Sequence, residues 1–406
     1  HQAARAQKAD PACALSSMPR PLAASTHGAL SRKCCVRFVA GADLGVVATA
    51  DIEPGELILE ELPLFLLRAG ELAQAAAQGR DAQEALIRSR LEHVHTAGQD
   101  AFWALADCHS TDGQKTALGV FKTNAIAGSA NVDSHSGVYR LGARFNHSCK
   151  PNVNRCWIES RKRQVFVATQ DIVAGQELCV YYVDPKGVSD ERQAALKRDF
   201  NFVCRCEACS LSGSARARSD ELHREYQSLD KTIPTLARDP EDAIEKIMRV
   251  LEIIQEEFDG DPHMAQRAFY DGFQMAVLAK DFDLAATLMQ RAHEARLLAE
   301  GDSEEAAEMR RYAEDPSMHP LVSSSGSTSA SVPPCLEHGA PQRRGRPNGK
   351  RQFCEDFGGP CECDDCGVLP PPPPRPPAAV QGASPEARTD AQASVGGAVL
   401  SGSEVH

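Results

Sequence analysis

Three cysteines within six residues, in the stretch Cys-Arg-Cys-Glu-Ala-Cys, give the strongest chemical signal in the sequence. They are Cys204, Cys206 and Cys209. A structural zinc ion takes four soft ligands in a tetrahedron, so three thiolates at this spacing need a fourth ligand from elsewhere in the chain. Cys149 is the candidate, and the sequence therefore predicts a zinc site that joins two distant segments. The alternative is a set of reduced, buried thiols without metal.

The stretch Phe-Asn-His-Ser-Cys at residues 145–149 is the second group of chemically capable side chains. Polar and metal-capable residues follow one another there, in a region that is otherwise rich in strand formers. Taken alone, Asn146 and His147 could belong to a capped turn, and His147 with Cys149 could form a nucleophilic pair. A thiol protease would also need a third, orienting group, and the sequence carries no signature for one.

Short strands are predicted on both sides of these residues. β-branched residues alternate with turn signals over residues 34–65 and again over residues 137–184. Between these regions, from about residue 70 to residue 106, apolar residues recur at helical spacing. Beyond residue 211, amphipathic segments separated by short Asp-containing turns predict stacked helical hairpins, and the last pair has the texture of a tetratricopeptide unit.

The order of these elements predicts an α+β fold followed by an all-α region and a disordered tail. The predicted parts are a disordered lead-in (1–32), a β domain (33–210) with a helical insert (about 66–118) and a cysteine segment (200–210), a helical region (211–320) and a tail (321–406). The tail contains a further cysteine group at Cys354, Cys361, Cys363 and Cys366. This group could bind a second zinc ion or could be incidental to an acidic, flexible segment.

The order of the motifs resembles the SET domain of protein-lysine methyltransferases. A Gly-containing strand-turn-strand is followed by Asn-His-Ser-Cys-x-Pro-Asn, then by Gly-Gln-Glu-Leu-Cys-Val-Tyr-Tyr-Val-Asp, and then by the cysteine triplet. The likeness is greatest to the branch that includes the SET and MYND family and fungal relatives. It covers residues 37–210, with a looser likeness to about residue 320. The MYND zinc module is missing, so we expect a metal-free helical insert and a cysteine site of the post-SET kind.

The resemblance implies the role of each motif residue. Asn146 and His147 would contact the amine and adenine of S-adenosylmethionine, and Tyr182 would be the catalytic tyrosine and a cofactor contact. The other cofactor contacts that it implies are Gly45, Asn124 and Phe202. A dry aromatic channel would favour the neutral lysine amine, and Tyr181 and Phe145, with Tyr182 and Phe202, could supply its walls. Leu44 replaces a residue that is often polar or glycine in the family, so backbone contacts alone are expected from this loop. For Phe145, plain hydrophobic packing is the alternative.

The composition narrows the choice of partners. A net charge of −12 over 406 residues argues against a general nucleic-acid binder and suits a basic protein partner such as a histone.

The longest apolar run, at residues 57–67, is broken by two glutamates and a proline, so no membrane span is expected. Clustered cysteines without a signal peptide predict reduced thiols in the nucleus and/or the cytoplasm. We expect a monomer.

Two other functions fit the same residues. A catalytically inactive SET module would bind a peptide or the cofactor without transferring a methyl group. A zinc-organised interaction scaffold, built on the helical hairpins, would not bind S-adenosylmethionine at all.

Overall fold

The computed structural model describes residues 28–128 and 134–324. Most of the predicted lead-in, most of the predicted tail and the cysteine group at residues 354–366 therefore lie outside the described residues. The strands are β1 (Cys34–Val39), β2 (Asp43–Ala48), β3 (Leu57–Glu61), β4 (Phe65–Arg68), β5 (Ile126–Ala127), β6 (His135–Val138), β7 (Asn146–His147), β8 (Val153–Ile158), β9 (Arg163–Ala168) and β10 (Glu177–Val180). The helices are α1 (Ala69–Gln78), α2 (Arg80–Glu92), α3 (Thr96–Trp103), α4 (Ala117–Asn124), α5 (Ser189–Phe200), α6 (Gly213–Thr232), α7 (Pro240–Glu257), α8 (Pro262–Ala279), α9 (Phe282–Glu300), α10 (Glu304–Glu314) and α11 (Pro320–Ser324).

The strands form three small sheets. The four-stranded sheet has the order β1-β2-β10-β7, in which β7 runs parallel to β10 and the other pairs are antiparallel. The other two sheets have the orders β3-β9-β8 and β4-β6-β5. Alternate strand residues point into a shared core, which includes Val46, Ile58, Phe145, Phe166 and Leu178. The β domain therefore joins segments that are more than 100 residues apart in the chain.

The insert predicted at residues 66–118 is mainly helical, but it begins on a strand. Residues 66–68 belong to β4, which pairs with β6. The helices α1 to α4 follow, and Leu91, Phe102 and Leu105 are buried among them as their helical spacing indicates. The first three residues of the predicted insert differ because their strand partner lies about 70 residues away, which local periodicity cannot reveal.

The helical region consists of antiparallel hairpins. α7 packs on α8, α8 on α9 and α9 on α10. Asp261 and Asp281 cap α8 and α9, because each carboxylate accepts a hydrogen bond from a backbone N–H of the first helical turn. The end of α9 packs on the β domain, where the Asn154 side chain donates to the carbonyl of Ala299 at 2.9 Å. The tetratricopeptide likeness of these hairpins stays a prediction.

No helix within residues 28–128 and 134–324 combines the length and the apolar character that crossing a membrane requires.

A buried carboxylate, that of Glu61 at the end of β3, holds the segment that leads to the Asn-His pair. Its oxygens accept hydrogen bonds from the backbone N–H groups of Leu141 and Gly142, at 2.8 to 3.1 Å. Burial raises the pKa of Glu61 to about 7, against the opposing effect of these hydrogen bonds. A 3₁₀ turn, Gly142–Arg144, and Phe145 follow directly. Glu61 therefore fixes the backbone at residues 141 and 142, shortly before the Asn-His pair.

This carboxylate predicts a pH dependence of stability. In the unfolded chain the pKa of Glu61 is the ordinary 4.5, so between that value and about 7 the folded state binds more protons than the unfolded state. The contribution of Glu61 to the free energy of unfolding therefore falls as the pH rises from 5 to 8. The side chain of a Glu61→Gln variant cannot ionise. The unfolding free energy of the variant minus that of the wild type should therefore be ~2 kcal/mol larger at pH 8 than at pH 5. Urea unfolding of both proteins at the two pH values measures the change, and a pH-independent difference would contradict it.

Candidate active site and cysteine cluster

The Asn-His pair and the tyrosine pair are brought together by two neighbouring strands. Asn146 and His147 form β7, which lies beside the end of β10, with Asn146 opposite Cys179 and His147 opposite Val180. Residues 181 and 182 follow β10 directly. The predicted motif residues therefore meet at one edge of the four-stranded sheet.

Tyr182 is held by two hydrogen bonds to the Asn-His segment. Its backbone N–H donates to Nδ1 of His147 at 3.0 Å, and its hydroxyl donates to the carbonyl oxygen of Phe145 at 2.7 Å. Burial in this apolar corner raises the pKa of Tyr182 above its ordinary value, so the phenol is neutral. The phenol is thus fixed in place beside a backbone carbonyl.

Aromatic rings surround the phenol. The ring of Phe200 lies 4.8 Å from that of Tyr182 between centroids, and the ring of His147 lies 5.4 Å from it. The ring of Phe202 lies 6.2 Å from that of His147 between centroids. Phe202, the predicted adenine-stacking residue, is therefore close to His147, a predicted cofactor contact. Phe200 was missed by the sequence reasoning, although its place two residues before Phe202 on the same segment could have indicated it.

Gly45 in β2 lies against Asn146, and its lack of a side chain is required there. A Cβ atom at this position would come within 2.7 Å of Nδ2 of Asn146 and within 2.5 Å of Oε1 of Glu177. The backbone carbonyl of Leu44 accepts a hydrogen bond from Asn146 at 3.3 Å. The loop around Gly45 thus offers backbone rather than side chains, as its sequence indicates.

Two of the predicted site residues have their side chains engaged elsewhere. Asn124 donates its amide hydrogens to the carbonyls of Ala106 and Val120, both at 2.7 Å, inside the helical insert. The ring of Phe145 is buried and stacks on Phe166 at 4.5 Å, which suits the packing alternative, and only its carbonyl faces Tyr182. These contacts leave the cofactor role of Asn124 and the channel role of the Phe145 ring as unsupported predictions.

Tyr181 points toward the helical region. Its hydroxyl lies 3.5 Å from a carboxylate oxygen of Asp261, the residue that caps α8. Burial raises the pKa of Tyr181, and the Asp261 carboxylate adds to this effect. Of the two adjacent tyrosines, Tyr182 is therefore the one whose hydroxyl lies next to the Asn-His segment.

The four cysteines that the sequence grouped come together in one cluster. The sulfur atoms of Cys149, Cys204, Cys206 and Cys209 all lie within 4.8 Å of one another. The Sγ atoms of Cys149 and Cys209 are 3.5 Å apart, and the backbone N–H of Cys149 donates to Sγ of Cys206 at 3.4 Å. This cluster closes the segment after α5 onto the loop that follows β7.

The crowded thiols cannot all ionise by themselves. Hydrogen bonding to Cys204 and to the other thiols raises the pKa of Cys149, whereas hydrogen bonding from Cys149 lowers the pKa of Cys206. A cation is needed to stabilise four thiolates at this distance, and a divalent metal ion with tetrahedral preference meets that need. The cluster is therefore a suitable metal donor set.

His147 connects the tyrosine to the cysteine cluster. Because Nδ1 accepts the N–H of Tyr182, the imidazole proton resides on Nε2, which lies 3.3 Å from Sγ of Cys149. Burial lowers the pKa of His147 to about 4, so the ring is neutral near pH 7. A protease-like pair of His147 and Cys149 is not supported, because Cys149 shares its site with three other thiols.

A buried arginine that the sequence reasoning missed faces the cluster. Arg192 in α5 is 2% exposed, and Nη1 lies 3.0 Å from Nε2 of His223 in α6. Burial disfavours the charged guanidinium, but the neighbouring Cys149 and Cys209 thiols raise the pKa of Arg192 above its ordinary value. A positive charge at this position can offset the excess negative charge of four thiolates.

The residues around Tyr182 can orient two reactants for the direct transfer of a small group, and they do not provide the nucleophile that a covalent intermediate would require. A neutral phenol, a backbone carbonyl and a set of aromatic rings surround one point, and no activated nucleophile with its base is found there in the described part of the chain. Such a corner favours substrates that carry an amine or a sulfonium group next to aromatic surfaces.

Comparisons with known proteins give consistent results. A family model described as the SET domain matches residues 43–183, which include Gly45, Asn146, His147 and Tyr182. Histone-lysine N-methyltransferase set5 of Schizosaccharomyces pombe is 30% identical over 284 residues, which cover 69% of this chain and 83% of the yeast protein. A putative SET domain-containing protein of Acanthamoeba polyphaga mimivirus is 24% identical over 227 residues, 48% of this chain and 80% of the viral protein. Histone-lysine N-methyltransferase ATXR4 of Arabidopsis thaliana is 32% identical over 72 residues, which cover 18% of this chain and 22% of the plant protein.

Proposed function

Because the chain belongs to the SET-domain family of protein-lysine methyltransferases, we propose that it transfers a methyl group from S-adenosylmethionine to a lysine of a histone or another basic protein. One observation carries this proposal above the others. The parallel pairing of β7 with β10 sets the Tyr182 hydroxyl 2.7 Å from the Phe145 carbonyl and next to the Asn146–His147 pair.

The residues around Gly45 and Asn146 fit a cofactor with a cationic amino-acid end. The strand carrying Gly45 passes so close to Asn146 that a Cβ atom on Gly45 would collide with the Asn146 amide. Both amide hydrogens of Asn146 are donated to protein acceptors, so its Oδ1 stays free to accept from an ammonium group. The rings of His147 and Phe202, 6.2 Å apart between centroids, offer aromatic surfaces for an adenine.

When bound, S-adenosylmethionine supplies a methyl group on a positively charged sulfur. The Tyr182 hydroxyl and the Phe145 carbonyl present oxygen atoms to that corner, which orients and stabilises a partially positive methyl group. The rings of Tyr182 and Phe200, 4.8 Å apart between centroids, line this corner with aromatic surface. A lysine amine with an ordinary pKa of ~10.4 is mostly charged in water, and desolvation between such rings favours its neutral, reactive form.

We also propose that the cysteine cluster holds one zinc ion. Four sulfur atoms within 4.8 Å of one another fit a tetrahedral site, and Arg192 offsets part of its negative charge. The ion would have a structural role, because the cluster leaves no position for a catalytic water. With Cys149 joined to Cys204, Cys206 and Cys209, the segment carrying Phe202 is kept beside His147.

Two observations support a basic protein substrate. The protein carries a net charge of −12, which favours encounter with positively charged partners. Two relatives are named histone-lysine methyltransferases. A histone substrate would place the activity in the nucleus, and another basic protein would allow the cytoplasm as well.

A binding measurement followed by a transfer measurement tests the proposal. Calorimetric titration with S-adenosylhomocysteine should give saturable heat at one site per chain. Incubation with methyl-labelled S-adenosylmethionine should then label histones or another basic protein in cell extract, and histones with chemically acetylated lysines should remain unlabelled. Heat without any labelled protein would support the inactive module instead. Absence of heat would support the interaction scaffold.

A further inference from the structure

The side-chain amide of Asn146 has one orientation that its surroundings permit. The atoms next to one end of the amide are Oε1 of Glu177 at 2.7 Å and the carbonyl oxygen of Leu44 at 3.3 Å. Both are pure acceptors, so the NH₂ group must face them. The amide oxygen of Asn146 therefore faces the opposite direction.

Glu177 is held firmly enough to impose this orientation. It is the first residue of β10 and pairs with Val47 of β2. Its backbone carbonyl accepts a hydrogen bond from the side chain of buried Asn152 at 2.9 Å, and the same side chain accepts from the N–H of Cys179 at 2.9 Å. The Asn152 amide thus spans the two ends of this strand segment and fixes where the Glu177 side chain begins.

The space over Gly45 confines the carboxylate as well. A Cβ atom on Gly45 would lie 2.5 Å from Oε1 of Glu177, so the carboxylate and the Asn146 amide together fill the room above the glycine backbone. Hydrogen bonds that include a charged group are about twice as strong as neutral ones. The contact between Glu177 and Asn146 is therefore the stronger of the two that orient the amide.

We propose that Glu177 is a positioning residue for cofactor binding, which turns the oxygen of the Asn146 amide toward the ammonium group of S-adenosylmethionine. This inference rests on the proposed function, since it needs a cofactor with an amino-acid end. Without the Glu177 acceptor, the Asn146 amide can rotate and present its NH₂ group to the ammonium, which would repel it.

Two ligands that differ only in the amino-acid end make the test selective. S-adenosylhomocysteine carries the ammonium group, and 5′-methylthioadenosine lacks the whole amino-acid end. In a Glu177→Ala variant, calorimetry should show affinity for S-adenosylhomocysteine reduced by about 10-fold or more, as expected for a lost hydrogen bond to a charged group. The affinity for 5′-methylthioadenosine should stay within about twofold of the wild type.

Matched variants separate orientation from a general loss of structure. Glu177→Gln keeps an acceptor oxygen for the Asn146 amide and should recover most of the affinity. In an Asn146→Ala background, Glu177→Ala should reduce the affinity for S-adenosylhomocysteine little further, because Glu177 acts through Asn146. If the alanine variant does not fold, Glu177→Met removes the acceptor while keeping the side-chain length.

Equal weakening of both ligands, or unchanged binding of S-adenosylhomocysteine, would overturn the role of Glu177. A wild-type protein that binds neither ligand would instead overturn the proposed function, and this inference with it.

Discussion

Replacing Tyr182 by phenylalanine should lower the rate of methyl transfer by about 100-fold, the loss typical when one oriented polar group is removed from a transition state. The hydroxyl donates to the Phe145 carbonyl at 2.7 Å, and without it neither oxygen is fixed toward the transferred methyl group. The affinity for S-adenosylhomocysteine should change by less than about twofold, because the backbone N–H of Tyr182 still donates to His147. Single-turnover transfer of labelled methyl groups and calorimetry measure the two quantities.

Tyr312 provides a matched control for this substitution. It is a tyrosine in α10 whose hydroxyl donates to Glu308 at 2.9 Å, and it belongs to neither proposed site. Tyr312→Phe should therefore retain the wild-type transfer rate. If Tyr182→Phe also transferred methyl groups at the wild-type rate, the catalytic assignment would be wrong. A loss on Tyr181→Phe alone would move that assignment to the neighbouring residue.

Replacing Cys206 by serine should release the metal ion and destabilise the segment after α5. A serine hydroxyl is a poor ligand for zinc at neutral pH, and three thiolates alone do not complete the tetrahedron. Because metal binding contributes directly to folding, the melting temperature should fall by roughly 10 °C. Elemental analysis of the purified variant should find much less than one zinc ion per chain, and the affinity for S-adenosylhomocysteine should fall, because Phe202 loses its anchor beside His147.

Cys156 supplies the control for the loss of metal. Its thiol lies outside the cluster, 4.0 Å from the carbonyl of Glu300. Cys156→Ser should keep the full zinc content. Unchanged zinc in Cys206→Ser, or equal losses in both variants, would remove the cysteine cluster from the proposal.

The sequence allowed the motif residues to be predicted where the constraint is local or chemical. The spacing of the cysteine triplet indicated that a fourth ligand was needed, Cys149 was the candidate, and the four sulfur atoms are together in the structure. The alternating strands and the change to helical hairpins were also readable, because each depends on the period of apolar residues along a short window. The SET-domain likeness was confirmed by the family model and by the yeast relative.

What the sequence could not supply depends on contacts between distant segments. Whether the Phe145 ring or its carbonyl faces the site is decided by packing on Phe166, and the amide of Asn124 is taken by Ala106. Likewise, Glu177 matters only because β10 lies between β2 and β7. Pairings of this kind are set by the whole fold, and no local pattern reports them.

The parallel pairing of β7 with β10 has a consequence for the folding of this protein and for its fragments. Two parallel neighbours cannot be joined by a tight hairpin, and the connection here runs through β8 and β9. The intervening hairpin pairs with β3 through β9, and contacts over long chain separations form slowly. We therefore expect the pairing of β7 with β10, and with it the site around Tyr182, to be among the last parts to assemble during refolding, and a fragment ending before residue 177 to lack that site altogether.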